Sequence, residues 1–131
     1  MKKVLFVCVG NAGRSQMAEA FFNHIAKGKA HAMSAGTNPA SAVDPTVIKV
    51  MQEVGIDLSR NHPKKLTVEM MEQADKVITM GCGVELACPA ALGETEDWGL
   101  EDPKGKGIEK IREIRDQIKA GVETMLKELA I

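Results

Sequence analysis

Val4 to Val9 is an unbroken apolar run, and Gly10-Asn11-Ala12-Gly13 follows it directly. A strand with one wetted face alternates apolar and polar residues. A continuous run is what a parallel strand buried on both faces requires. Parallel strands need crossover connections, usually helices, and the rest of the chain supplies them. Ser15 to Lys27 carries Met17, Ala18, Phe21, Phe22 and Ile25 at helical spacing, with Gly28 where a C-terminal cap belongs. Ala30 to Ala35 reads as a second strand, ended by Gly36. Asp44-Pro45 opens a second helix as N-cap and first-position proline; Val47, Ile48, Met51 and Val54 form its apolar face, and Gly55 stops it. Thr67 to Gln73 predicts a short third helix and Lys76 to Met80 a third strand. Gly81 to Lys106 reads as mostly irregular, with a short strand near Trp98. Ile108, Ile111, Ile114, Ile118, Val122, Met125 and Leu129 mark a long amphipathic C-terminal helix. This alternation predicts an α/β fold, a small three-layer sandwich of about four parallel strands with helices on both faces, forming a single domain over residues 1–131. Function is then expected at the C-terminal ends of the strands.

Composition excludes several classes. The chain has 17 basic and 18 acidic residues and a net charge of −1, so it carries no basic footprint for nucleic acid. With three Phe, one Trp and no Tyr, it offers no stacking platform for single strands either. No stretch reaches the ~20 apolar residues of a membrane span. The N-terminal apolar run is short for a signal peptide and ends in Asn-Ala-Gly-Arg instead of a small-residue cleavage site. A cytoplasmic location with three reduced cysteines is the resulting expectation. Three is an odd number, which disfavours a static disulfide framework and leaves thiol chemistry open.

Cys8 closes the first strand, and Arg14-Ser15 stand where the first helix begins. A Cys-x5-Arg spacing arises readily by chance; its position between a buried strand and a helix start gives it weight. A turn of this kind aims backbone N–H groups inward at a helix N-terminus, a ready site for a tetrahedral oxyanion. Val9, Gly10, Asn11, Ala12, Gly13, Arg14 and Ser15 are the candidate oxyanion cradle. Arg14 offers a planar fork to two oxygens. The same field stabilises a thiolate on Cys8, with Ser15 as a further donor. An activated thiol on the floor of an anion site is what attack on phosphate or arsenate requires.

The segment Val-Cys-x-Gly-Asn-x-x-Arg-Ser (residues 7–15) resembles the low-molecular-weight tyrosine phosphatase fold family, as does Ser34-Ala35-Gly36-Thr37, and the resemblance covers essentially the whole chain. It implies that Cys8 is the nucleophile, Arg14 the oxyanion clamp, Asn11 the holder of the loop conformation and Asp102, in Asp102-Pro103, the general acid/base. By itself Asp102-Pro103 reads as a turn.

A phosphatase needs one cysteine, and this chain adds Cys82 and Cys88 after the third strand. Arsenate, unlike phosphate, is reducible by thiols. One thiol forms an adduct with arsenic, a second attacks the first sulfur and expels arsenite, and a third carries the disulfide outward. The pair, with Cys88-Pro89 and the run Trp98-Gly99-Leu100-Glu101-Asp102-Pro103-Lys104-Gly105-Lys106, is similar to the thioredoxin-coupled arsenate reductases. That resemblance implies arsenate as substrate with phosphate as analogue, Cys82 as second thiol, Cys88 as third, thioredoxin or a similar dithiol as partner, and no cofactor. The cysteine pair stands one residue closer than in the best-known members. It also has too many intervening residues, and no adjacent His, for a zinc pair. His24, His31 and His62 do not cluster with the cysteines. Some members hold a monovalent cation beside the first turn. Asn11 and Glu19 match that set, while Lys65 stands at the Asp position, so a lysine ammonium is expected in place of a required potassium.

The alternative is a low-molecular-weight protein tyrosine phosphatase working through a phosphocysteine. Against it, Lys104-Gly105-Lys106 replaces the aromatic residues that flank a phosphotyrosine ring in that branch. A binding or redox-sensing module that turns nothing over is the third class.

Overall fold

The computed structural model describes residues 2–80, 94–101, 103 and 105–129. Cys82, Cys88 and Asp102 lie outside the described residues. Strand β1 (Lys2–Cys8) leads to helix α1 (Arg14–Ala26), β2 (Ala30–Gly36), α2 (Pro45–Gln52), α3 (Val68–Gln73), β3 (Lys76–Thr79), β4 (Glu94–Asp97) and α4 (Ile108–Glu128). The four strands form one sheet in the order β2-β1-β3-β4, with every pairing parallel. In register, Cys8 stands beside Gly36 and Val7 beside Thr79, so the C-terminal ends of three strands converge on the first turn.

The apolar run of β1 is explained by its pleat. Val4, Phe6 and Cys8 join a core with Met17 and Phe22 of α1, Val47 and Met51 of α2, Ile78, and the Ile111, Ile114 and Ile118 stripe of α4. Leu5 and Val7 face the other way, onto Ala35, Val77 and Met71 of α3. Helices therefore cover both faces of a parallel sheet. Phe6 meets Phe22 edge-on at 6.1 Å and Trp98 at 5.7 Å, which ties the end of β4 to the centre of the core. Gly121 makes that contact possible: a Cβ there would lie 3.0 Å from the Trp98 ring. Among the described residues no helix is long and apolar enough to cross a membrane.

Local signals held at the helix starts and slipped at two ends. Asp44 Oδ1 accepts from Thr46 N at 2.8 Å ahead of Pro45, and Thr67 Oγ1 accepts from Met70 N at 3.2 Å. The C-cap of α1 is Lys27, at φ 51°, rather than Gly28. Its N–H still reaches Asn23 O, so the helix closes one residue early. Helix α2 ends at Gln52, where the chain turns back through a Gly55 N to Gln52 O bond. Val54 thus leaves the apolar face and is 39% exposed, and Ile56 packs on the core instead.

An exposed ion cluster fastens α2 to α4. Arg112 grips both oxygens of Glu53, at 3.0 and 2.6 Å, and Arg115 Nη1 donates to Glu53 Oε1 and to Val50 O, each at 2.9 Å. Hydrogen bonding from Arg112, then Arg115, holds the Glu53 carboxyl down at about 2, from 4.5. The folded state therefore favours the ionised form. Its stabilising contribution is complete above about pH 4.5 and is lost as the pH falls toward 2. A Glu53→Gln variant is expected to melt below the parent at pH 7 in low salt. The gap should close between pH 4.5 and 2, and shrink in high salt because the pair is exposed. Melting curves of both proteins across that range check this.

Candidate active site

The turn between Cys8 and Arg14 is built by two layers of backbone. Four of its carbonyls accept N–H groups from the segment after β2: Cys8 O from Thr37 (3.2 Å), Val9 O from Asn38 (2.9 Å), Gly10 O from Ala40 (2.9 Å) and Ala12 O from Asp44 (3.0 Å). Engaging the carbonyls on the outside leaves the amide side of the turn for an anion. Gly36 permits the two layers to touch, since a Cβ there would fall 2.6 Å from Val9 O and 3.0 Å from Asn11 N.

Cys8 is 2% exposed and ends the strand at the floor of this turn. Asn11 N donates to its Sγ at 3.2 Å, and Ser15 Oγ lies 2.8 Å from it. Ser15 Oγ also accepts from Asn11 Nδ2 at 2.7 Å, which leaves its hydroxyl hydrogen available to the sulfur. Both donors suit a thiolate. Asn11 takes the left-handed conformation, φ 51°, which asparagine tolerates better than most residues. Its side chain is buried and fully engaged. Oδ1 accepts from Lys64 N at 2.8 Å and from Gln16 Nε2 at 3.0 Å.

Arg14 opens α1 and is also 2% exposed. Its Nη1 donates to Met80 O, just past β3, and to Leu100 O, just past β4, both at 3.0 Å. A cavity of about 560 Å³ opens above Cys8 and Arg14. Its wall is made of small residues, including Gly10, Ala12, Pro39, Ala40, Ala42 and Pro45, with the Asp44 carboxylate among them. Pro103 completes the rim against Gly13, whose missing Cβ would fall 2.8 Å from the proline ring. A second cavity, about 490 Å³, lies between Trp98 and the α4 residues Gln117, Gly121 and Met125, away from Cys8.

Of the expected site residues, Cys8 to Ser15 thus form one connected site. Cys82, Cys88 and Asp102 fall outside the described residues, and the chain neighbour of Asp102, Pro103, lines the cavity. The expected lysine position is corrected. The ammonium beside Glu19 is that of Lys64, at 3.6 Å, with Ser34 Oγ donating to Glu19 Oε1 at 2.6 Å. Residues 64–66 run parallel to the end of β2, through Gly36 N to Lys64 O (2.7 Å) and Leu66 N to Gly36 O (2.9 Å). Consecutive side chains of an extended segment point to opposite sides, so Lys65 cannot share the side that Lys64 takes. Sequence reasoning also missed Gln16. Its residue type gave no signal, because it follows two other polar residues, Arg14 and Ser15, in the first turn of α1.

The family model described as low molecular weight phosphotyrosine protein phosphatase matches residues 3–131. The glutaredoxin arsenate reductase of Synechocystis sp. is 42% identical over 99% of this chain and 100% of its own length. A solved arsenate reductase in the phosphate binding state superposes with a TM-score of 0.86 at 41% identity, covering 98% of each chain. The thioredoxin-dependent arsenate reductase of Corynebacterium glutamicum gives 0.84 at 39% identity, over 99% of this chain and 62% of that one. The buried thiol in its amide-lined turn thus stands on a scaffold these proteins share, and the chain belongs to the low molecular weight phosphotyrosine protein phosphatase family, grouping within it with arsenate reductases.

Proposed function

We propose that the chain is an arsenate reductase whose nucleophile is Cys8, working as a single domain in the cytoplasm. The observation that carries the reading is the Cys8 sulfur at the floor of the cavity, bracketed by the Asn11 N–H and the Ser15 hydroxyl beside a buried Arg14. The Cys8 thiolate attacks arsenic and displaces an arsenate oxygen as water, Asp102 supplying the proton. The Cys82 thiolate then attacks the Cys8 sulfur. The S–As electron pair stays on arsenic, arsenite departs, and a Cys8–Cys82 disulfide remains. Cys88 attacks Cys82 and frees Cys8, and an external dithiol reduces the Cys82–Cys88 disulfide. Two electrons enter as dithiol and leave as arsenite.

The relatives named above couple to different reductants, so the test has two arms. Arsenate-dependent NADPH oxidation is followed with thioredoxin and its reductase, and separately with glutaredoxin, glutathione and its reductase. Sustained turnover in the thioredoxin arm is the expected result, and none in either arm refutes the reading. Phosphate-ester hydrolysis is measured alongside. The cradle needs only Cys8, Arg14 and Asp102 for it, so a slow phosphatase activity is expected beside the reduction. An enzyme that hydrolyses phosphotyrosine efficiently and ignores arsenate would be the phosphatase of the alternative reading.

Arg14→Lys keeps the charge and loses the planar fork. It also loses the geometry that reaches Met80 O and Leu100 O together. A fall in kcat/KM for arsenate of about 10²–10³-fold is expected. Near-parental kinetics would place Arg14 outside the chemistry.

A further inference from the structure

The Cys8–Ser15–Asn11 chain of hydrogen bonds has a direction, and one residue outside it holds that direction from behind. While Asn11 presents Nδ2 to the serine oxygen, the Ser15 hydrogen is left for Cys8; a reversed amide would present Oδ1 and compete for that hydrogen. Asn11 presents Nδ2 because its Oδ1 is occupied on the other side by two donors, Lys64 N at 2.8 Å and Gln16 Nε2 at 3.0 Å. Gln16 controls both. It gives one Nε2 hydrogen to Asn11 and the other to His62 O at 3.1 Å, while its Oε1 accepts from Asn61 Nδ2 at 3.2 Å. The last two bonds fasten residues 61–62, and with them the Lys64 N–H, under the turn. Gln16 is wholly buried, and its amide spends both hydrogens and an oxygen lone pair on this one task.

We infer that Gln16 is a positioning residue for the nucleophile. It locks the Asn11 amide in the orientation that makes Ser15 a donor to the Cys8 thiolate, and so sets the reactivity of Cys8 without touching substrate. The inference rests on the proposed role of Cys8, but its test does not use arsenate.

Gln16→Glu is nearly isosteric and, when ionised, replaces the Nε2 donor with an acceptor. It faces Asn11 Oδ1 with a lone pair and favours the reversed amide, which would turn the Ser15 hydrogen away from sulfur. Gln16→Met keeps the bulk and removes every hydrogen bond, without adding a charge that could unfold the helix start. The readout is the rate of iodoacetamide alkylation of Cys8 against pH, resolved by peptide mass spectrometry so that Cys82 and Cys88 do not contribute. Among the described residues, the charged groups that line the cavity with Cys8 are Arg14 and Asp44, and both remain in each variant. The profile midpoint is expected to rise in either folded variant, because a donor to the charged form is lost. Ser15→Ala should give a rise of similar size, and adding Gln16→Met to it should bring little more, since both act through one bond. An unmoved midpoint in folded Gln16→Met or Gln16→Glu overturns the inference, as does full additivity with Ser15→Ala. If Cys8→Ser still reduces arsenate, the proposed function fails and the alkylation result still stands.

Discussion

A Cys8→Ser variant is expected to fold, to bind phosphate or arsenate, and to lose both arsenate reduction and phosphate-ester hydrolysis by at least about 10⁴-fold. The serine hydroxyl is not ionised at neutral pH, so the cradle persists while its nucleophile is gone. The replacement is mild for the structure. Sγ makes its contacts with Asn11 N and Ser15 Oγ, and a serine oxygen accepts from the same two donors. Anion binding measured by calorimetry, beside both activities, separates loss of chemistry from loss of the site. Appreciable turnover in either assay would remove Cys8 from its role.

Cys88→Ser is expected to separate the two chemistries. Cys8 and Cys82 remain, so the variant should release one arsenite per enzyme and stop as a Cys8–Cys82 disulfide. Cys8 is 2% exposed at the bottom of a cavity, out of reach of the thiolate of a protein reductant. Rapid-quench counting of arsenite should therefore give a burst of one equivalent and no thioredoxin-linked steady state. Phosphate-ester hydrolysis should continue at the parental rate, because it uses no second thiol. Undiminished multiple turnover would rule out the three-cysteine relay.

Features read well in the sequence where they are local and contiguous. The unbroken run of β1 specified burial on both faces, because Val4 and Phe6 find one core and Leu5 and Val7 the other. Cys8, Asn11, Arg14 and Ser15 lie within eight residues of one turn, so their meeting followed from the strand–turn–helix order. What escaped was carried by backbone or by pleat. The donors from Thr37, Asn38, Ala40 and Asp44 are main-chain N–H groups, which leave no mark on residue type. Lys64 and Lys65 are adjacent lysines, and only the register of their bridge to Gly36 decides which one reaches Glu19. Gln16 acts through partners some 45 positions away, at Asn61 and His62. No periodicity within its own helix announces such a bond.

The outer layer of the turn has an evolutionary corollary. Residues 37, 38 and 40 serve this layer through their main-chain N–H groups, a role that any residue but proline can fill, whereas Asp44 also caps α2 with its side chain. The two prolines of the stretch, Pro39 and Pro45, fall at positions with no part in the zipper. The same stretch supplies the cavity wall through Asn38, Pro39, Ala40 and Ala42. Selection can therefore reshape what enters the cavity residue by residue while the turn that carries Cys8, held by backbone, keeps its shape.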